Sequence, residues 1–190
     1  MKKKGLLIAV VAVVLVIVFI ASGLVSTYNG LVDKQAEVTN AEAQIQVQLQ
    51  RRADLIPNLV NTVKGYAAHE TEVYTALADA RAKLNSASNA EEYTEAIESY
   101  DSALSRLLVV VENYPELKAN QNFIYLQDEL SGTENRIGIA RKDYNKVVTE
   151  YNKAIKKFPT VFFAGILGFE QADLFEASAD AQNAPVVSFE

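Results

Sequence analysis

Apolar positions along this chain follow two regimes. In the first, residues 5–25, GLLIAVVAVVLVIVFIASGLV, form a run of 21 residues without a charge. At about 1.5 Å of rise per residue, such a run as a helix matches the thickness of a bilayer's hydrocarbon core. It reads as a transmembrane helix. A cleaved signal peptide is the rival, because Ala21, Ser22 and Gly23 are small residues of the kind a signal peptidase accepts. The run exceeds the roughly 7 to 15 apolar residues of a signal core, which favours a retained anchor.

In the second regime, residues 28–158, apolar side chains recur every three or four positions, the spacing of one helix stripe, and no alternating run argues for a strand. Four helices are expected. The first carries a coiled-coil-like seven-residue repeat at Tyr28, Leu31, Gln35, Val38, Glu42, Ile45, Leu49 and Arg52. The second starts near Asp54, an N-cap residue with Pro57 in the first turn, and runs along Leu55, Leu59, Thr62, Tyr66, Val73, Leu77, Ala80 and Leu84. After the polar link NSASNAEE, residues 85–92, the third aligns Tyr93, Ile97, Tyr100, Leu104, Leu107, Val111 and Tyr114. Tyr114-Pro115 breaks it, because a residue before proline avoids helical geometry. The fourth and longest places Phe123, Leu126, Leu130, Ile137, Tyr144, Val148, Tyr151, Ile155 and Phe158 on one face until Pro159, with Gly132 and Gly138 as points of close packing.

Four such stripes on short connections bury themselves only against each other. The expected fold is all-α: an N-terminal transmembrane helix, then an antiparallel up-and-down four-helix bundle. Its parts are a basic flank over residues 1–4, the span over 5–25, the bundle over 28–158, an aromatic segment over 159–176 that packs on bundle or membrane, and a flexible tail over 177–190.

Charge sharpens this picture. Lys2, Lys3 and Lys4 precede the span and the next basic residue is Lys34, so the positive-inside rule favours a cytoplasmic N-terminus with the bundle outside. With those three set aside, 15 of the 18 basic residues face all 24 acidic ones, a balance of −9 that repels nucleic-acid phosphates. The lipid bilayer is met through residues 5–25. The absence of cysteine excludes disulfides, thiolate chemistry and lipoprotein processing.

Candidate chemistry is sparse. The one histidine, His69, cannot supply the two Glu-x-x-His pairs of a di-iron bundle, nor the second histidine of a zinc-protease helix. No phosphate-binding glycine loop and no nucleophile elbow is present. No catalytic residue, metal or cofactor is therefore expected. The polar anomalies are Arg51, Arg52, Asp54, Asn58, Asn61 and His69 in the segment RRADLIPNLVNTVKGYAAHE, and Glu134, Arg136 and Arg141 around TENR. The first group reads as a helix-turn-helix corner with a polar edge, and His69 as a hydrogen-bonded histidine at the bundle margin. Buried charges need partners, so Glu134 is expected to pair with Arg51, Arg52 or Arg141.

Three segments resemble the LemA family: IQVQLQRRADLIPNLVNTVKGYAAHE at 45–70, YPELKANQNFIYLQDELSGTENRIGIARKDYNKVVTEYN at 114–152, and FPTVFFAGILGFEQADLFE at 158–176. The resemblance covers nearly all of the chain beyond the span, with less signature over residues 86–110. Ala53 departs from the pattern, standing where members often carry an aromatic residue. The resemblance implies a bacterial membrane protein with one N-terminal span and a helical bundle, with relatives found beside membrane proteases and in the building of magnetosome membranes. It implies no activity. The expected role is a non-enzymatic scaffold or adaptor for a protein partner in the cell envelope. The alternatives are a self-associating membrane-shaping protein and an accessory factor of a membrane protease.

Overall fold

The structure is a computed structural model; it describes the backbone of residues 2–176 and side chains from Val10 onward. The expected flexible tail over 177–190 lies outside the described residues. Every regular element among the described residues is helical: α1 (Lys2–Lys64), α2 (Thr71–Ser86), α3 (Ala90–Glu112), α4 (Pro115–Lys118) and α5 (Gln121–Lys156), followed by a 3-10 turn over Thr160–Phe162. By its contacts the chain divides into two compact units. One comprises residues 1–40 with 147–172, the other residues 41–146 with 173–190.

The expected corner near Asp54 is absent. α1 is one helix that passes through both Asp54 and Pro57. Asp54 accepts a bond from Gln50 Nε2 at 2.8 Å and caps nothing. Proline inside a helix deprives the carbonyl four residues earlier of its donor. Here that carbonyl belongs to Ala53, and Arg81 Nε of α2 supplies the missing bond at 3.2 Å. Ala53 itself is fully buried.

The chain turns instead over residues 65–70. The amides of Tyr66 and Ala67 both bond to the Val63 carbonyl at 2.9 Å, and the buried Tyr74 hydroxyl donates to the Ala67 carbonyl at 2.6 Å. Tyr74 thus stitches the first turn of α2 to the loop before it. Burial, with Glu70 and Tyr114 nearby, lifts its hydroxyl above the ordinary tyrosine range.

The entrance to α3 is capped by side chains of the polar link. Asn89 accepts the Glu92 amide at 2.9 Å, and Glu92 reaches back to the amide and hydroxyl of Ser88 at 2.7 and 2.8 Å, a variant of the capping box. These bonds hold the Glu92 carboxyl below its ordinary range. The expected fourth helix is interrupted. Pro115 opens only the single turn α4, and α5 starts afresh because Asn120 caps it, its Oδ1 accepting the amides of Asn122 and Phe123 at 2.9 and 3.2 Å.

In the unit of residues 41–146 with 173–190, the buried stripe of α1 is Ile45, Leu49, Arg52, Ile56, Leu59 and Val63, and that of α3 is Tyr93, Ile97, Tyr100, Leu107 and Val111. Phe123, Leu126, Leu130, Thr133, Ile137 and Tyr144 continue the rhythm on α5. In the other unit the buried positions include Leu31, Val38, Val148, Tyr151 and Ile155. Phe158, expected on the α5 face, lies beyond the helix end and is exposed. Gly132 and Gly138 are not close contacts: among the described residues nothing meets a Cβ at Gly138 within 4 Å, and only the Arg136 guanidinium comes near Gly132, at 3.8 Å.

Candidate functional site

Arg52 occupies a core position because it completes the three-four rhythm between Leu49 and Ile56. Its side chain is only 1% exposed, and its Nη2 donates to Asp101 Oδ1 on α3 at 2.5 Å. The guanidinium also lies over the Tyr100 ring, with Cζ 4.1 Å from the centroid, so the cation meets both a carboxylate and a π face. Two polar groups here have no hydrogen-bond partner among the described residues, Arg52 Nε and the Tyr100 hydroxyl. Burial pushes Tyr100 up to about 12, although the Arg52 charge pulls the other way. Asp101 remains 48% exposed, so the ion pair leads from the core to solvent.

A second cluster in the same unit gathers around Phe175. Its ring is buried, stacked on Tyr93 at 6.1 Å, edge-on to Tyr144 at 5.1 Å, and capped by the Arg141 guanidinium 5.2 Å from its centroid. The backbone is gripped as well. Asn145 donates to the Phe175 carbonyl at 2.8 Å and accepts its amide at 2.9 Å. Tyr144 donates to the Asp173 carbonyl at 3.1 Å, and Arg141 Nη2 to the Glu176 carbonyl at 2.7 Å. Burial lowers the Arg141 pKa, while Glu98 and Asp101 act to raise it. The same clamp recurs in the other unit, where Asn152 makes the paired bonds to Ala172 at 2.8 and 3.0 Å.

The expected site residues distribute as follows. Arg52 and Arg141 share the field of Asp101. Arg51 pairs instead with Glu129 at 2.7 Å. Glu134 does not take the expected arginine. It is exposed, with no ion pair among the described residues, because Asp101 and Glu129 hold the positions that Arg52 and Arg51 reach. Asn58, Asn61 and Arg136 are exposed on their helices. His69 is exposed in the loop before α2 and makes no side-chain bond among the described residues; its carbonyl accepts the Thr71 amide at 2.9 Å. Glu134 lines two shallow grooves, one along α5 with Ser131, Gly138 and Ile139, the other with Leu104, Leu108 and Gln127. No cluster of metal-ligating side chains occurs among the described residues.

Asp101, Tyr144, Asn145 and Phe175 were missed as site residues. Tyr100 and Tyr144 carried a signal, being tyrosines on otherwise aliphatic stripes. Asn145 and Asn152 carried another, since amides one heptad apart beside a buried stripe suit the reading of an adjacent backbone.

The described chain is an all-α protein with one helix long and apolar enough to cross a membrane. The LemA family profile matches residues 41–189, and the chain belongs to the LemA family. It is 27% identical over 205 residues to magnetosome protein MamQ 2 of Paramagnetospirillum magneticum, a match covering 94% of this chain and 75% of that protein. It is 25% identical to magnetosome protein MamQ of Magnetospirillum gryphiswaldense, covering 96% and 76%. Protein LemA of Metamycoplasma hominis is 28% identical over 151 residues, covering 79% and 69%.

Proposed function

We propose that this chain is a single-pass protein of the bacterial cell membrane, anchored by residues 5–25, whose body is an antiparallel helical bundle serving as a non-enzymatic scaffold or adaptor for envelope proteins. The observation that carries the reading is the continuity of α1. Its exposed apolar segment passes without a break into the buried stripe from Ile45 to Val63, so the helix that meets lipid is also a core helix of the body. The charged groups of the candidate site support it, because Arg51, Arg52 and Arg141 are spent on holding helices and tail. The grooves beside Glu134, with the exposed Ile139, are left for a partner.

Photo-crosslinking residues at Leu108 and Ile139 of the full chain in native membranes test this. One heterologous protein captured in equal amount supports the adaptor, and capture of nothing at either position refutes it. Likeness to magnetosome proteins favours a second reading, self-association that shapes a membrane; crosslinks between copies that grow with expression level are its signature. Lys2, Lys3 and Lys4 ahead of the span favour an N-terminus in the cytoplasm and a body outside. Proteolysis of a C-terminal tag in intact spheroplasts checks that orientation, and protection of the tag reverses it.

A further inference from the structure

We propose that residues 158–167 form a second membrane contact, a rigid apolar turn that enters the lipid interface beside the point where α1 leaves the bilayer. This rests on the anchored reading above.

The turn is built, not loose. Backbone bonds run from Val161 to the Lys157 carbonyl, from Ala164 to Thr160 and from Leu167 to Phe163, each at 2.9 Å. It ends in a Schellman motif. Phe169 bonds back to the Ala164 carbonyl at 2.9 Å, Gly168 bonds to Gly165 at 3.2 Å, and Gly168 takes the left-handed φ of 82° that the motif requires. This geometry sorts the side chains. Thr160, Ala164 and Phe169 turn inward and are buried. Phe158, Phe162 and Ile166 point out, at 79%, 63% and 85% exposure, with Val161 and Leu167 beside them.

A flexible loop would fold such side chains away from water. Here the hydrogen bonds hold them outward, and no other described residue covers them. The position of the turn identifies the cover. Phe169, the residue that closes the Schellman motif, sets its ring edge-on to Tyr28 of α1, with centroids 5.6 Å apart. Tyr28 lies three residues past Val25, the last residue of the apolar span, a rise of about 4.5 Å along the helix. The turn is therefore pinned to α1 at the level where the hydrocarbon core gives way to headgroups. Aromatic side chains concentrate at that level. Lys153, Lys156 and Lys157, all exposed just before the turn, can extend their charges to lipid phosphates while their stems lie on apolar surface.

Absence of tryptophan from the chain gives a clean test. Full-length Phe162→Trp and Ile166→Trp are reconstituted in phosphatidylcholine–phosphatidylglycerol vesicles carrying spin-labelled lipid, the label either high on the acyl chain or near its end. Phe19→Trp in the span and Val109→Trp on exposed α3 are the references. The expected result is emission at 162 and 166 blue-shifted from that at 109, with stronger quenching by the shallow label than by the deep one. At position 19 the deep label should quench more. Quenching at 19, with emission at 162 and 166 like that at 109, overturns the proposal and leaves the anchor intact. A blue shift at 162 and 166 without quenching also overturns it, because protein then covers the turn. Failure of quenching at 19 overturns the anchored reading and this one with it.

Discussion

Removing Asp101 should cost more than removing the charge it neutralises. Arg52 is 1% exposed and Asp101 48% exposed, so Asp101→Ala leaves a buried cation without the carboxylate that pairs with it. Breaking a fully buried pair from one side costs roughly 3 to 5 kcal/mol. Water can reach the vacated Asp101 position, which lowers the expected loss here to about 2 kcal/mol. For a helical body of this size that is a fall in melting midpoint of roughly 5 to 10 °C. Arg52→Met removes the cation, the ion pair and the contact with the Tyr100 ring, but fills the space with a flexible apolar chain. It should lie within about 1 kcal/mol of the wild type. In the double variant no buried charge remains, so it should match Arg52→Met alone, giving a coupling energy of about 2 kcal/mol. The assay is thermal unfolding of the full chain in detergent micelles, followed by far-UV circular dichroism. An Asp101→Ala midpoint equal to the wild type's, or an Arg52→Met loss larger than that of Asp101→Ala, would refute the reasoning.

Tyr100→Phe deletes a buried hydroxyl that has no partner among the described residues and should raise stability by about 1 kcal/mol at neutral pH in the same assay. The unfolded tyrosine ionises near its ordinary value of 10.0 and the folded one near 12. Between those pH values the unfolded state gives up its proton first, so wild-type stability falls as pH rises, and Tyr100→Phe should shrink that fall, with Tyr74, Tyr93, Tyr144 and Tyr151 contributing to the remainder. Asn145→Ala should abolish hydrogen-exchange protection of the Phe175 amide and spare that of Ala172, while Asn152→Ala does the reverse; joint loss in either variant would show that the two clamps are not separate. Gly138→Ala should stabilise α5 by up to about 1 kcal/mol in a denaturant titration, since no described residue stands within 4 Å of the added carbon.

The stripes were legible because burial on a long helix needs only local spacing. Leu31, Val38, Ile45 and Leu49 on α1, Tyr93, Ile97, Tyr100, Leu107 and Val111 on α3, and the run from Phe123 to Ile155 on α5 are buried as the three-four rhythm requires, while Leu104 is half-buried. Breaks were less legible, because a break depends on who satisfies the backbone. Pro57 carries every mark of a helix start, yet α1 continues through it because Arg81, 28 residues from Ala53, donates to the carbonyl that proline left open. Asn120 looks like any loop asparagine, yet by capping two amides it splits α4 from α5. Phe175 was out of reach for the same reason, since its burial requires Tyr93, Arg141, Tyr144 and Asn145 to converge on a segment with no periodicity of its own.

Arg52 also bears on why the body keeps one arrangement. Ile45, Arg52 and Leu59 stand seven residues apart on the buried stripe of α1, a ladder whose two outer rungs are aliphatic groups. Aliphatic contacts alone tolerate a shift of one heptad along a neighbouring helix at little cost, because every rung offers the same surface. A single charge at a core position does not, since its partner exists at one place only. Sliding α1 by a heptad against α3 would bury Arg52 away from Asp101 and put an aliphatic side chain against the carboxylate. The pair therefore contributes register more than net stability, which is why the double variant is expected to melt close to Arg52→Met and why its packing should be less unique. Broader aromatic side-chain resonances from Tyr93, Tyr100 and Phe175 in the double variant than in the wild type would register that loss, and equally sharp ones would show that the remaining stripes set the register without it.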